Sequence, residues 1–191
     1  MNHDPGAFKQ DDVIARFVAG AVAALLLTGA ATGSAQNVAE ATLKAAFLLN
    51  FIKFVEWPRD VLAAGAPITT CMVGASSVAE LLTQVAKGRN INGHEVLVSN
   101  RPVDGPLKTC HVVYVAGIDA AATRRLVRSL DGAAVFTISD FERFTAFGGI
   151  TNFIEDDARL RFAVNVEAAR RARLHLSAPM LALATIVRDT P

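Results

Sequence analysis

Ile68-Thr69-Thr70-Cys71-Met72-Val73-Gly74-Ala75-Ser76-Ser77-Val78-Ala79-Glu80-Leu81-Leu82 decides the architecture of this 191-residue chain. Six residues of β-branched and apolar character run up to a glycine. Ser76 and Ser77 follow as helix caps, and the apolar spacing then becomes helical. This is a buried strand feeding a helix over residues 78–87, which Gly88 terminates. Downstream, Asn92-Gly93 turns into a second strand at 94–99, and a loop with Pro102, Gly105 and Pro106 leads to a third at 111–116. Asp119 caps a helix reaching residue 130, and residues 133–138 form a fourth strand. Strands separated by helices of this length predict a largely parallel sheet with helices on its faces.

The flanks read differently. Towards the carboxyl end, residues 148–154 and 160–165 alternate at period two around Glu155-Asp156-Asp157, which predicts an antiparallel hairpin. Helices are expected at 166–172 and 178–187, the latter with Ser177 as cap and Pro179 in its first turn. On the amino side, residues 38–57 form one long helical pattern that is apolar nearly all round, with Leu43, Phe47, Leu48, Leu49, Phe51, Ile52, Phe54 and Val55. A surface helix keeps a polar face, so this one is expected to be covered on two sides, either by its own core or by a partner. Trp57-Pro58 ends it.

The first thirty-five residues carry Arg16, an apolar run from Phe17 to Leu27, and Gly33-Ser34-Ala35, a small-x-small cleavage pattern. An export signal covering 1–35 is expected, with an uncleaved amino-terminal anchor as the competing reading, and one domain over 36–191. Lys9 and Arg16 on one side and Asp4, Asp11 and Asp12 on the other precede the cut. The totals of 19 basic and 18 acidic residues then become 17 and 15. A balance so near neutrality gives no reason to expect nucleic acid or an acidic membrane surface as partner. With 52% hydrophobic and 19% charged residues, the chain has apolar surface to spare for oligomers or a protein partner.

Cys71 and Cys110 each lie at or near the start of an expected strand. If those strands are parallel neighbours in similar register the side chains meet, and a bridge is worth about 4 kcal/mol. The alternative is two separate buried thiols. Candidates for chemistry are few. His3 falls within the export signal, and His94, His111 and His175 lack metal-ligand spacing; no catalytic residue, cofactor or metal is expected. Gly148-Gly149 reads as a backbone turn with positive φ. Ser139-Asp140 ends the fourth strand, the edge where parallel sheets place ligands, and with Gly74-Ala75-Ser76 it marks a ligand crevice. Asp140 is also read as the N-cap of a helical turn beginning at Phe141. Arg170, Arg171 and Arg173 sit at a helix carboxyl end, where cations are favoured.

Several phrases together resemble the YfiR family: Leu43-Lys44-Ala45-Ala46-Phe47-Leu48-Leu49-Asn50-Phe51-Ile52-Lys53-Phe54-Val55-Glu56-Trp57-Pro58; Cys110-His111-Val112-Val113-Tyr114-Val115; and Thr137-Ile138-Ser139-Asp140 with Phe144 and Gly148-Gly149-Ile150. The ending agrees, through Arg161-Phe162-Ala163-Val164-Asn165, Ala168-Ala169, Leu174, Leu176-Ser177 and Leu181-Ala182-Leu183-Ala184. The fold expected is α/β, a mostly parallel, Rossmann-like sheet flanked by helices, with an antiparallel hairpin near the carboxyl end. The resemblance implies a periplasmic, non-enzymatic protein that forms a homodimer and represses an inner-membrane diguanylate cyclase through its periplasmic segment, until an outer-membrane lipoprotein sequesters it. On this reading Phe47, Phe51, Phe54 and Trp57 of the first helix are the candidate partner-binding residues. A periplasmic small-ligand sensor is the alternative. Two departures limit the likeness. Phe147 and Asn152 flank the Gly-Gly turn where relatives often carry a second cysteine pair. Ala172-Arg173 also stands where many have a small residue and glycine.

Overall fold

The computed structural model describes residues 30–156 and 159–188. The expected export signal lies outside the described residues except for helical backbone from Ala30. The described residues from Glu40 onward form one compact unit. No helix among the described residues is long and apolar enough to cross a membrane.

Helix α1, Ala30–Phe54, is followed by β1 (Val55–Glu56), β2 (Ile68–Val73), α2 (Ser77–Ala86), β3 (Asn90–Ile91) and β4 (His94–Arg101). After a 3-10 turn at Leu107–Thr109 come β5 (Val112–Val115), α3 (Ala120–Ser129) and β6 (Phe136–Ser139). A second 3-10 turn, Phe144–Phe147, precedes β7 (Thr151–Asp156), β8 (Arg159–Asn165), α4 (Val166–Arg171), β9 (His175–Leu176), α5 (Ala178–Leu183) and β10 (Thr185–Val187). The main sheet has the order β10-β8-β7-β6-β5-β2-β4-β3. Strands β4, β2, β5, β6 and β7 run parallel, β8 turns back on β7, and β10 lies parallel to β8. The expected mostly parallel sheet and its hairpin are therefore both present.

Period-two alternation builds a core on each face. Ile68, Met72, Val112, Tyr114, Phe136, Ile138, Phe153 and Phe162 turn towards α1 and α2, whose Ala45, Leu48, Phe51, Ile52, Val78 and Leu82 cover them. Cys71, Val73, Val113 and Val115 turn the other way, beneath Leu126, Val127 and Leu130 of α3 and its end. Within this second core Cys71 and Cys110 are joined as a disulfide, with Cα atoms 6.0 Å apart. Parallel pairing in near register, Cys71 opposite Val113, brings them together.

Three local expectations are corrected. The helix expected over 178–187 stops at Leu183, because Thr185–Val187 pair with Ala163, Val164 and Asn165 of β8. Sheet hydrogen bonds outweigh local helical preference there. Ser177 occupies the N-cap position but its hydroxyl caps nothing; the turn is closed by its carbonyl, which accepts from the Met180 and Leu181 N–H groups. At the Gly-Gly turn only Gly148 has positive φ, 93°. Gly149 is required for space instead, since a Cβ there would collide with the Phe144 ring.

Candidate functional site

The carboxyl edge of the sheet gathers polar side chains from five elements. Asp140, just past β6, is the node: the Lys44 Nζ of α1 donates to its Oδ2 at 3.0 Å, and the Tyr114 hydroxyl of β5 donates to the same oxygen at 3.1 Å. Lys44 also pairs with Glu40, one turn earlier on α1. Ser76 faces the Tyr114 hydroxyl, and Glu155 of β7 lies against Glu40.

Burial opposes the charge on Lys44, but its bonds to Glu40 and Asp140 more than offset this and raise its pKa. The Lys44 bond lowers the pKa of Glu40, whereas Glu40 raises that of Glu155. Tyr114 is pushed up first by burial and then by the Asp140 charge, so its hydroxyl stays protonated and donates. Such a network holds α1 to the sheet edge.

The expected N-cap role of Asp140 is corrected here. Ser139 does the local work: its buried hydroxyl donates to the Val115 carbonyl at 2.7 Å and accepts from the Phe141 N–H at 2.9 Å. The 3-10 turn begins later, after Arg143 at φ 64°. Asp140 is left free to face Lys44 and Tyr114.

The sheet reverses its winding between β2 and β5, where open α/β sheets usually bind ligands. In this chain the loops after β2 and β5 pack backbone against backbone at that point. A Cβ on Gly74 would strike the Ala116 carbonyl, and one on Gly117 would stand 2.6 Å from the Ala75 oxygen. Ser76 is engaged as the cap of α2, accepting from the Val78 N–H at 3.1 Å. Open space lies to one side, in a cleft of about 500 Å³ bounded by Lys44, Asp140, Arg143, Phe153, Ile154 and Val187.

The aromatic residues of the first helix face inward. Phe51 is 2% exposed and meets Phe136, Phe153 and Phe162 with centroids 6.2, 5.8 and 4.8 Å away. Phe47, half-buried, contacts Phe153 and Phe162, and Phe54 packs against the same core. Trp57 donates from Nε1 to the His111 carbonyl at 3.2 Å. On α1 and α5 the large apolar side chains left exposed are Val38 and Leu43, 59% and 45% exposed, and Leu183, 76% exposed. The three arginines of the α4 end reach Glu167, Asp131 and Asp60. Among the described residues no group of three or more His, Cys, Asp or Glu is placed to hold a metal ion.

Substituting Lys44→Met is expected to destabilise the protein by about 1–3 kcal/mol, because Asp140 and Glu40 lose their charged donor. The depressed Glu40 pKa contributes stability above the ordinary carboxylate value, which is lost as pH falls through the folded one. That part of the acid limb should disappear in the variant. Urea titration between pH 7 and 3 checks both; unchanged midpoints would show that the network stabilises nothing.

A solved structure, a conserved domain protein from Vibrio cholerae O1 biovar El Tor, is similar at 15% identity and a TM-score of 0.49. The match covers 69% of this chain, which spans only 57% of that protein. Residues 41–185, from the first buried turn of α1 to the start of β10, match one family model throughout, and the protein belongs to the YfiR/HmsC-like family.

Proposed function

We propose that this protein is a non-enzymatic periplasmic regulator that binds the periplasmic part of an inner-membrane diguanylate cyclase and holds it inactive, lowering cyclic di-GMP signalling and biofilm formation. Family membership over residues 41–185 carries the reading, since the YfiR/HmsC-like family is regulatory rather than catalytic and acts on diguanylate cyclase signalling from the periplasm. Repression needs only tighter binding to the inactive cyclase than to the active one. Leu43, Leu183 and Ile186 offer exposed apolar contacts, and the Lys44–Asp140 network fixes the helix that presents the first of them. The proposal includes export by cleavage after Ala35, a homodimer, and release by an outer-membrane lipoprotein.

Affinity purification of the tagged mature protein from mildly solubilised membranes of its host, read by mass spectrometry, tests this. Recovery of a diguanylate cyclase with a periplasmic segment is the expected result. Recovery of nothing beyond a tagless control overturns it and favours a small-ligand sensor, the second reading. The cleft of about 500 Å³ beside Asp140 supports that reading, which predicts a melting temperature raised by a periplasmic solute.

A further inference from the structure

One long edge of the main sheet is only half covered. Strand β4 pairs with β2 from Val96 to Arg101, whereas β3 on its other side reaches only His94 and Glu95. The last bond on that outer side is made by the Val96 N–H, which donates to the Arg89 carbonyl at 3.2 Å. Beyond it, no strand among the described residues pairs with the outer side of β4. Successive residues of a strand direct their backbone groups to opposite sides, so Val98 and Asn100 face outward like Val96, and Leu97, Ser99 and Arg101 face β2. The strand ends at Pro102, which has no N–H. The edge also lacks the usual guards, since no proline, lysine or bulge interrupts residues 97–101.

Val98 and Asn100 therefore offer N–H and C=O groups that a second copy of the same strand satisfies. Laid antiparallel about a two-fold axis at Ser99, each Val98 stands opposite Asn100 of the other copy, and all their backbone groups pair. Val96 then stands opposite Pro102: its own N–H is already engaged and the proline has none, so the ladder stops without an orphaned donor. An axis at Val98 would set Asn100 against the occupied Val96 N–H, one at Asn100 would set Val98 against Pro102, and one between residues would oppose outward groups to inward ones. We propose that the outer edge of β4 is the contact of a homodimer, in which a second copy pairs antiparallel about Ser99 and the two sheets become one.

The side chains agree with this register. Ser99 Oγ lies 3.9 Å from Cys71 Sγ, which puts Leu97, Ser99 and Arg101 on the disulfide face of the sheet. Leu97 is 44% exposed there. In the dimer it lies opposite Arg101 of the second copy, whose aliphatic stem covers it while the guanidinium stays in water. The two arginines stand about 13 Å apart along the strands, so no like charges are opposed. The contact is the same patch on both copies and closes on itself. This inference rests on the function proposed above for the existence of a homodimer, and not for the identity of the membrane partner.

Engineered cysteines test the register. Across the interface Leu97 and Arg101 form a non-hydrogen-bonded pair with Cα atoms about 4.5 Å apart, within disulfide reach. Two copies of Leu97, two of Arg101, or Leu97 and Arg101 of one chain are about 13 Å apart and out of reach. Under mild oxidation the Leu97→Cys/Arg101→Cys double variant should run as a covalent dimer on non-reducing gels, and each single variant as a monomer. Cross-linking by a single variant to the same extent, or none by the double variant, overturns the register. Asn100→Pro removes an N–H that β4 turns away from β2, so far-UV dichroism should be unchanged. Sedimentation should show the dimer dissociation constant raised about tenfold or more, for two symmetry-related hydrogen bonds lost. A wild-type dimer that the proline leaves as tight overturns the β4 contact and leaves the homodimer standing, whereas wild-type protein monomeric at every concentration overturns both. Where the proline variant does not fold, the cysteine variants decide alone.

Discussion

A Cys71→Ala/Cys110→Ala variant is expected to unfold with about 4 kcal/mol less stability than the bridged protein. The two cysteines are 39 residues apart, and the loop they close contains the end of β2, all of α2 and β3, and β4. Opening it returns that whole βαβ unit to the conformational freedom of a long unfolded segment. For a protein of this size the loss corresponds to a fall of about 8–16 °C in melting temperature. Cys71 and Cys110 are 0% and 2% exposed, so reductant should reach the bridge only when the central strands open. Mass spectrometry after alkylation should find the bridge intact in native buffer with dithiothreitol and reduced once urea is added. A double variant melting within 2 °C of wild type, on the same scale, would show that the bridge contributes nothing to the fold. No other cysteine exists in the chain, so any thiol–disulfide dependence has to pass through this bond.

That bridge was legible only conditionally in the sequence. Strand period and turn residues located β2, β5 and their helices well, because burial on both faces gives continuous apolar runs that loops interrupt cleanly. Whether β2 and β5 are neighbours is a matter of topology, and pairing between strands distant in sequence leaves no local trace. The same limit explains β10. Residues 184–187 carry the apolar character of a helix continuation, and only the presence of β8 beside them makes a strand the better solution. The carboxyl-edge network was missed for another reason. Asp140 has capping chemistry, and an acceptor next to a helical pattern is read locally. The available signal was Lys44, a charged residue set against the buried stripe of Ala41, Ala45, Leu48 and Ile52 on α1. A lysine so placed needs an anionic partner, and Asp140 supplies it across 96 positions of sequence.

Phe51→Ala is expected to cost about 3–5 kcal/mol, the range for emptying a buried aromatic site. The ring touches side chains from α1, β6, β7 and β8, which are fixed by sheet hydrogen bonds and cannot close in to fill the space. Leu43→Asp and Leu183→Asp fall on the other side of the distinction: both side chains are exposed, so each should change stability by no more than about 0.5 kcal/mol. If these two residues form part of the regulator's contact with a cyclase, the double aspartate variant should lose the partner in affinity purification while its urea midpoint stays put. Phe51→Ala, by contrast, should reduce recovery only in proportion to the fraction unfolded. A neutral Phe51→Ala would remove α1 from the core, and an aspartate pair that still recovers the cyclase would move the contact away from α1 and α5. The apolar richness of α1 has two sources, and the variants separate them: Phe51 serves the fold, and Leu43 remains available to a partner.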